Sequence, residues 1–242
     1  MNTVIYSCVT GKYDKVLETL LSSHGQADAH TDFVLFTDRP DLLKSGEYEE
    51  YQAAGRPVTW SIRPVKYQHP TCNVRTARWH KINSHLSVPE YDYSIWIDGS
   101  QVIQDVNLRK DIVVPYFALP ESKSQPLATF KHPDRTCVYQ EAVACRKLAK
   151  DNPDLLIKQA KKYREEGYPP YNGMVETACL VRSNNILVRR FNQFWWDQIE
   201  NHSRRDQMSF NYTSWKLGID YGHVIGNRVK SPYFKFVPHG RR

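Results

Sequence analysis

The sequence predicts an α/β protein: an open, mostly parallel central sheet flanked by helices. Three observations lead there. Runs rich in β-branched and aromatic residues recur at Thr3–Val9 (TVIYSCV), Asp32–Thr37 (DFVLFT) and Tyr93–Ile97 (YSIWI), and such runs read as strands buried on both faces. Segments with helical spacing of apolar residues fall after them. Turn signals close each strand: Thr10–Asp14, Asp38-Arg39-Pro40 and Asp98-Gly99-Ser100,. The 242 residues are expected to form one domain, 1–242, in two halves, 1–105 and 106–242. That length can bury a sizeable core.

Taken in order, Thr3–Val9 is the first strand, and Lys15–Leu21 a short helix after its loop. Asp32–Thr37 is the second strand and Val58–Arg63 the third. Val74–Leu86 carries Trp79, Ile82 and Leu86 between Arg75, Arg78 and Lys81, the pattern of an amphipathic helix that ends near Val88-Pro89. Tyr93–Ile97 is the clearest strand, and Gln101–Gln104 resumes as a short one. Residues 131–140 are polar and turn-rich. Glu141–Lys150 and Asp154–Gly167 are helical, the second started by Asn152-Pro153 and stopped by Gly167. Tyr168–Gly173 is a rigid loop. Thr177–Val181 is a strand, Asn184–Asn201 a long amphipathic helix, and Arg204–Leu217 holds a further helix. The remainder is loop-rich, with a short strand at Tyr233–Val237.

Composition narrows the class. Hydrophobic residues make up 40 % and charged residues 24 %, which excludes a disordered chain. No apolar run reaches the ~18 residues a membrane span needs, and a cytoplasmic protein without membrane insertion is expected. The five cysteines have no CxxC spacing, so reduced thiols are expected. Net charge is +7, which suits a polyanion or a small anionic donor equally. Aromatics at 12 % fit a core first and a sugar- or base-stacking cleft second.

Four constellations can carry chemistry. Asp98 ends a buried strand, where open α/β sheets bind ligands. With Gly99 and Ser100 it places a carboxylate and a hydroxyl beside a metal–diphosphate complex, although Asp-Gly also marks ordinary turns. Arg75, Arg78 and Lys81 are three apart, so they share a helix face that meets phosphates or simply solvent. Asp206, in Ser203-Arg204-Arg205-Asp206-Gln207, is an acceptor-side carboxylate or part of a helix cap. Asn172-Gly173 leads to Glu176, a second carboxylate suited to sugar hydroxyls or to a strand end. A tail histidine, His239, can complete a metal site.

Several segments line up in order: YSIWIDGS, HPDRTCVYQEA, a Lys-rich helix with a Tyr and a Gly, NGMVETACLVRSNN, and FNQFWWDQIENHSRRDQMSF. Together they resemble the glycosyltransferase-like domain shared by plant TOD/MUCI-type proteins and many bacterial and phage proteins. The Thr10–Asp14 loop and the FVLFTD strand fit its N-terminal half. The resemblance implies a GT-A-like, Rossmann-like nucleotide-sugar fold, with residues 1–105 on the donor side and 106–242 on the acceptor side. It implies transfer of a hexosyl or pentosyl group from a nucleoside-diphosphate sugar to an acceptor hydroxyl. Donor-side candidates are Thr10, Tyr13, Asp38, Arg75, Arg78, Lys81, Asp98, Gly99 and Ser100. Asp206 and Glu176 are the catalytic candidates. His132, Arg135, Asn172, Gly173 and Gln207 fall on the acceptor side. Asp98, Ser100 and His239 are candidate ligands for Mn²⁺ or Mg²⁺. Many GT-A enzymes carry Asp-x-Asp, and here the motif is Asp-Gly-Ser, one carboxylate fewer. The acceptor is a glycan, a polysaccharide or a modified DNA base. A non-catalytic module that binds glycan or nucleic acid is the alternative.

Overall fold

The computed structural model describes residues 1–11, 23, 25–39, 60–117 and 125–238. Its centre is a seven-stranded sheet of order β3-β2-β1-β4-β7-β6-β8. The strands are β1 (Thr3–Val9), β2 (Thr31–Thr37), β3 (Ser61–Pro64), β4 (Tyr93–Ile97), β6 (Leu127–Lys131), β7 (Val175–Ser183) and β8 (Gly222–Val224). β1, β2, β3 and β4 are mutually parallel. β7 alone runs against its neighbours β4 and β6, and β8 is parallel to β6. The expectation of an open, mostly parallel sheet is met. β5 (Gln101–Ile103) pairs antiparallel with β9 (Phe234–Phe236) in a small second sheet.

Helices cover the faces: α1 (Asn73–Ile82), α2 (Ser84–Ser87), α3 (Val114–Phe117) after a π-helical turn at Arg109–Val113, α4 (Val138–Lys147), α5 (Pro153–Glu165), α6 (Ile186–Asn201) and α7 (Asp206–Leu217). Local chemistry sets their ends. Asn152 accepts from the N–H groups of Asp154 and Leu155, with Pro153 in the first turn of α5, where its missing N–H costs nothing. Asn185 caps α6 by accepting from Val188 N. Gly218 takes a left-handed φ of 63° after α7, a conformation glycine adopts without strain.

Each sheet face buries its own core. Ile5, Leu35, Ile95, Ile97, Phe130 and Val181 lie on one side. Val4, Tyr6, Trp96, Leu180, Phe191 and Trp195 lie on the other, under α1 and α6. A third core joins α4, α5 and α7 through Leu156, Tyr163, Met208 and Tyr212. Much of the aromatic surplus is spent here, as in the stacked Tyr163–Tyr212 pair at 3.7 Å. All five cysteines are unpaired. Among the described residues, no helix is long and apolar enough to cross a membrane.

The strand order positions the site. From β1 the chain steps outward to β2 and β3, then returns to place β4 on the other side of β1. The connections diverge there, at the carboxyl ends of β1 and β4, the edge where such sheets bind ligands,. Because β7 is reversed, the loop that precedes it opens on the same edge. So do the turns that follow β6 and β8.

Candidate functional site

Asp98 stands at the exit of β4, on that edge of the sheet. Its backbone N–H still bonds Ala178 O at 2.8 Å, and a turn closes with Gln101 N on Asp98 O at 2.9 Å. The sheet therefore fixes its Cα. Two side chains fix its carboxylate. Trp96, two residues earlier and so on the same strand face, donates its indole N–H to Asp98 Oδ1 at 2.7 Å. Lys81 Nζ, from α1, reaches the same oxygen at 2.9 Å.

Lys81 also binds Asp206 Oδ2 at 2.6 Å and lies 3.3 Å from Thr177 Oγ1. Thr177 itself donates to Asp206 Oδ2 at 2.7 Å. Arg78 Nη2 stands 3.4 Å from Asp206 Oδ1 and its Nη1 3.8 Å from Asp98 Oδ1. Two carboxylates and two cations thus share one cluster at the junction of α1, β4, β7 and α7. Burial divides it. Side-chain exposure is 28 % for Asp98 and 17 % for Arg78, against 0 % for Lys81 and 2 % for Asp206.

The electrostatics follow. Burial alone would raise the Asp206 pKa. The charges of Arg78, Lys81 and Arg205 overcome it and hold the carboxyl well below the usual carboxylate range. Asp206 also opens α7, where the helix dipole favours a negative charge, and its carbonyl accepts from Trp195 Nε1 at 3.2 Å.

The expected cations are only partly brought together. Arg78 and Lys81 meet at Asp98. Arg75 does not: its guanidinium bonds Ile199 O at 3.1 Å and His202 O at 2.8 Å. It closes the end of α6, whose last carbonyls lack helical partners. Thr10 Oγ1 donates to Asn73 O at 2.8 Å and so ties the end of β1 to the start of α1. Asp38 accepts from Gly11 N through both oxygens, at 3.0 and 2.9 Å. Gly11 has φ 67° and an added Cβ would lie 2.6 Å from Asn73 Nδ2, so the loop needs glycine there. Ser100 is buried beside the turn, its carbonyl accepting from Val237 N. Tyr13 and His239 lie outside the described residues.

Glu176, the other catalytic candidate, is bound by Arg228, from its backbone N–H at 3.1 Å and its Nε at 3.6 Å. Gln207 Nε2 donates to Val175 O at 3.0 Å. Gly173 takes φ 82° next to the exposed Asn172. His132 and Arg135 sit in the turn after β6, with Arg135 Nε on Glu141 Oε2 at 2.5 Å. Trp96 and Thr177 were not singled out from the sequence. The strand period was the available signal: residue 96 shares a face with 98 on β4.

The site holds little for a divalent ion. Among the described residues, no group of three His, Cys, Asp or Glu side chains converges. Asp98 offers one carboxylate, and Lys81 and Arg78 crowd its Oδ1, where they would repel a second cation. Among the described residues these side chains do not by themselves make a ligand set for Mn²⁺ or Mg²⁺,, and the third expected ligand, His239, lies outside them.

The open, mostly parallel sheet flanked by helices is consistent with a GT-A-like α/β fold. The chain belongs to the TOD1/MUCI70 glycosyltransferase-like domain family, whose model matches residues 1–228. It is 26% identical over 148 residues to the probable hexosyltransferase MUCI70 of Arabidopsis thaliana, a match covering 57% of this chain and 24% of that protein. It is 25% identical over 181 residues to the alkaline ceramidase TOD1 of the same plant, covering 71% of this chain and 37% of that protein. The chain spans well under half the length of either relative.

Proposed function

We propose that this chain transfers a hexosyl group from a nucleoside-diphosphate sugar to a hydroxyl of a glycan acceptor. The observation that carries the reading is Asp98, fixed by Trp96 and Lys81 yet still 28 % exposed, at the carboxyl end of β4. The family and the name of its hexosyltransferase relative support the class of reaction. The ceramidase name of the second relative belongs to that protein.

In this reading the donor lies between the Thr10–Gly11 turn and Asp98. Asp98 orients it through the carboxylate oxygen that Lys81 and Trp96 leave free. As the glycosidic bond breaks, negative charge grows on the leaving diphosphate. Arg78, partly exposed and already oriented by two carboxylates, is placed to stabilise that charge. Lys81 is buried and acts by holding Asp98 and Asp206 in place. Asp206 has too little proton affinity for a base near neutral pH, so it too is structural to the cluster. Glu176 is the carboxylate left to face the acceptor. No step is assigned to a divalent ion.

A thermal-shift screen of nucleotide sugars tests the reading. The true donor raises the melting temperature by mass action, with or without Mn²⁺, and releases nucleoside diphosphate on incubation. Asp98→Asn is expected to abolish both responses. Full activity in that variant removes Asp98 from the mechanism.

A further inference from the structure

The turn that follows β6 holds a second set of charges whose hydrogen bonds do not close on themselves. His132 Nδ1 accepts from the backbone N–H groups of Asp134 at 3.1 Å and Arg135 at 3.0 Å. A ring nitrogen that accepts carries no proton, so the neutral ring keeps its proton on Nε2. Burial, with the nearby Arg135 charge, holds the His132 pKa below its ordinary value, so the ring is neutral at neutral pH. Nε2 stands 2.9 Å from Arg135 Nη2, and a guanidinium can only donate. Two donors face each other with no acceptor between them.

Arg135 is not free to turn away. Its Nε is held at 2.5 Å by Glu141 Oε2, and the other oxygen of Glu141 accepts from Cys145 Sγ at 3.2 Å. The Glu141 side chain is 3 % exposed and that of Arg135 is 31 % exposed. A buried carboxylate therefore fixes a partly exposed guanidinium beside the buried His132 ring. The turn opens on the same edge as Asp98, because β6 runs parallel to β4 across the reversed β7.

We propose that Arg135 and His132 form an oxyanion-binding site on the acceptor side. A carboxylate or phosphate oxygen would accept from the guanidinium edge and from His132 Nε2–H together, which turns two opposed donors into a pair with one shared acceptor. Glu141 is then a positioning residue. Its ion pair sets the plane of the guanidinium before the ligand arrives. The placement in a transfer reaction rests on the transferase reading; binding of the oxyanion does not. The expected source is the carboxylate of an acidic sugar; the donor diphosphate, placed beside Arg78 in that reading, is the alternative that the test separates.

The test follows the imidazole ¹H–¹⁵N signals of His132 in the intact chain, in a chloride-poor buffer. The free protein should show the Nε2–H tautomer. Three probes are titrated: glucuronate, glucose as its neutral counterpart, and inorganic pyrophosphate. A saturable shift with glucuronate and not with glucose assigns the site to acidic sugars. A shift with pyrophosphate alone assigns it to the donor. Arg135→Gln should weaken the responding probe at least tenfold, and Arg135→Lys, which keeps the charge and loses the fork, several-fold. If Arg135→Gln does not fold, the lysine variant decides. Silence with both anions, an equal response to glucose, or unchanged affinity in the variants overturns the proposal. An oxyanion response in a protein that shows no nucleotide-sugar response overturns the transferase reading and leaves this site standing.

Discussion

Asp98 and Asp206 are the same residue type, and both touch Lys81, yet their surroundings give them different work. Asp206 is sealed at 2 % exposure among Arg78, Lys81 and Arg205. Asp98 has two fixed donors on one oxygen and 28 % of its side chain exposed. The lesson is that an ion pair's surroundings decide whether it holds the fold or meets a ligand. Removing one member of a buried pair strands its partner, whereas the loss of a half-exposed carboxylate leaves Lys81 still neutralised by Asp206.

The largest break in the comparison is expected from Asp206→Asn. Lys81 and Arg205 would lose a buried counter-charge, a change that costs about 3–5 kcal/mol. For a chain of this length that lowers the melting temperature by roughly 10 °C, read by calorimetry. Asp98→Asn should move it by no more than about 4 °C, for a pair worth about 1 kcal/mol or less when partly exposed. Equal shifts in the two variants would erase the distinction drawn between them.

Acid separates the cluster from its surroundings. Asp206 has a depressed folded pKa, so its stabilising effect is present above the unfolded value and is lost only in strong acid. His80, one residue before Lys81, behaves differently. Its Nδ1 faces Thr76 O at 2.9 Å and its Nε2 accepts from Lys66 N at 2.9 Å. Burial pushes its pKa down to about 4. Below the unfolded value of about 6.5, the unfolded chain takes up the proton first. Stability should therefore fall as pH drops from about 6.5 to about 4, by on the order of 3 kcal/mol. Denaturant titrations across that window check it. His80→Gln should flatten the slope, though not fully, since burial pushes His85 down to about 4 as well.

Much of the fold was legible because its strongest strands are plain apolar runs: β1, β2 and β4 match the sequence expectation almost residue for residue. The second half was harder. Leu127–Lys131 and Gly222–Val224 are short, and the latter includes a glycine, so neither stood out as a strand. β7 was read as Thr177–Val181, but it extends through Glu176 to Arg182 and Ser183, polar residues that are buried or nearly so. Arg182 explains why: its guanidinium caps α1 through Lys81 O and Ile82 O, a tertiary bond that no local pattern announces. Of the site, the Asp98 turn and the Arg78–Lys81 pair were legible from spacing. Arg75 was not, because the α6 terminus it closes lies more than a hundred residues away. The helix Lys15–Leu21 lies outside the described residues.

The smallest and most discriminating change is Trp96→Phe. A phenyl ring can keep the edge-on packing against Tyr6, whose centroid lies 5.3 Å away, but it has no N–H for Asp98 Oδ1. Stability should fall, because the smaller ring leaves a void at a buried site and Asp98 loses a donor,. Donor binding should suffer as well. A hydrogen bond to a charged group is worth about 1.5–3 kcal/mol, so without it the carboxylate gains rotational freedom and donor affinity falls about tenfold at the lower bound. Titration of the nucleotide sugar with Trp96→Phe and with Asp98→Asn sets the two losses side by side. A donor that binds Trp96→Phe as tightly as the wild type would mean that Lys81 alone orients Asp98. The fixed carboxylate would then owe its geometry to the buried half of the cluster, and the line between Asp98 and Asp206 would have to be redrawn at Lys81.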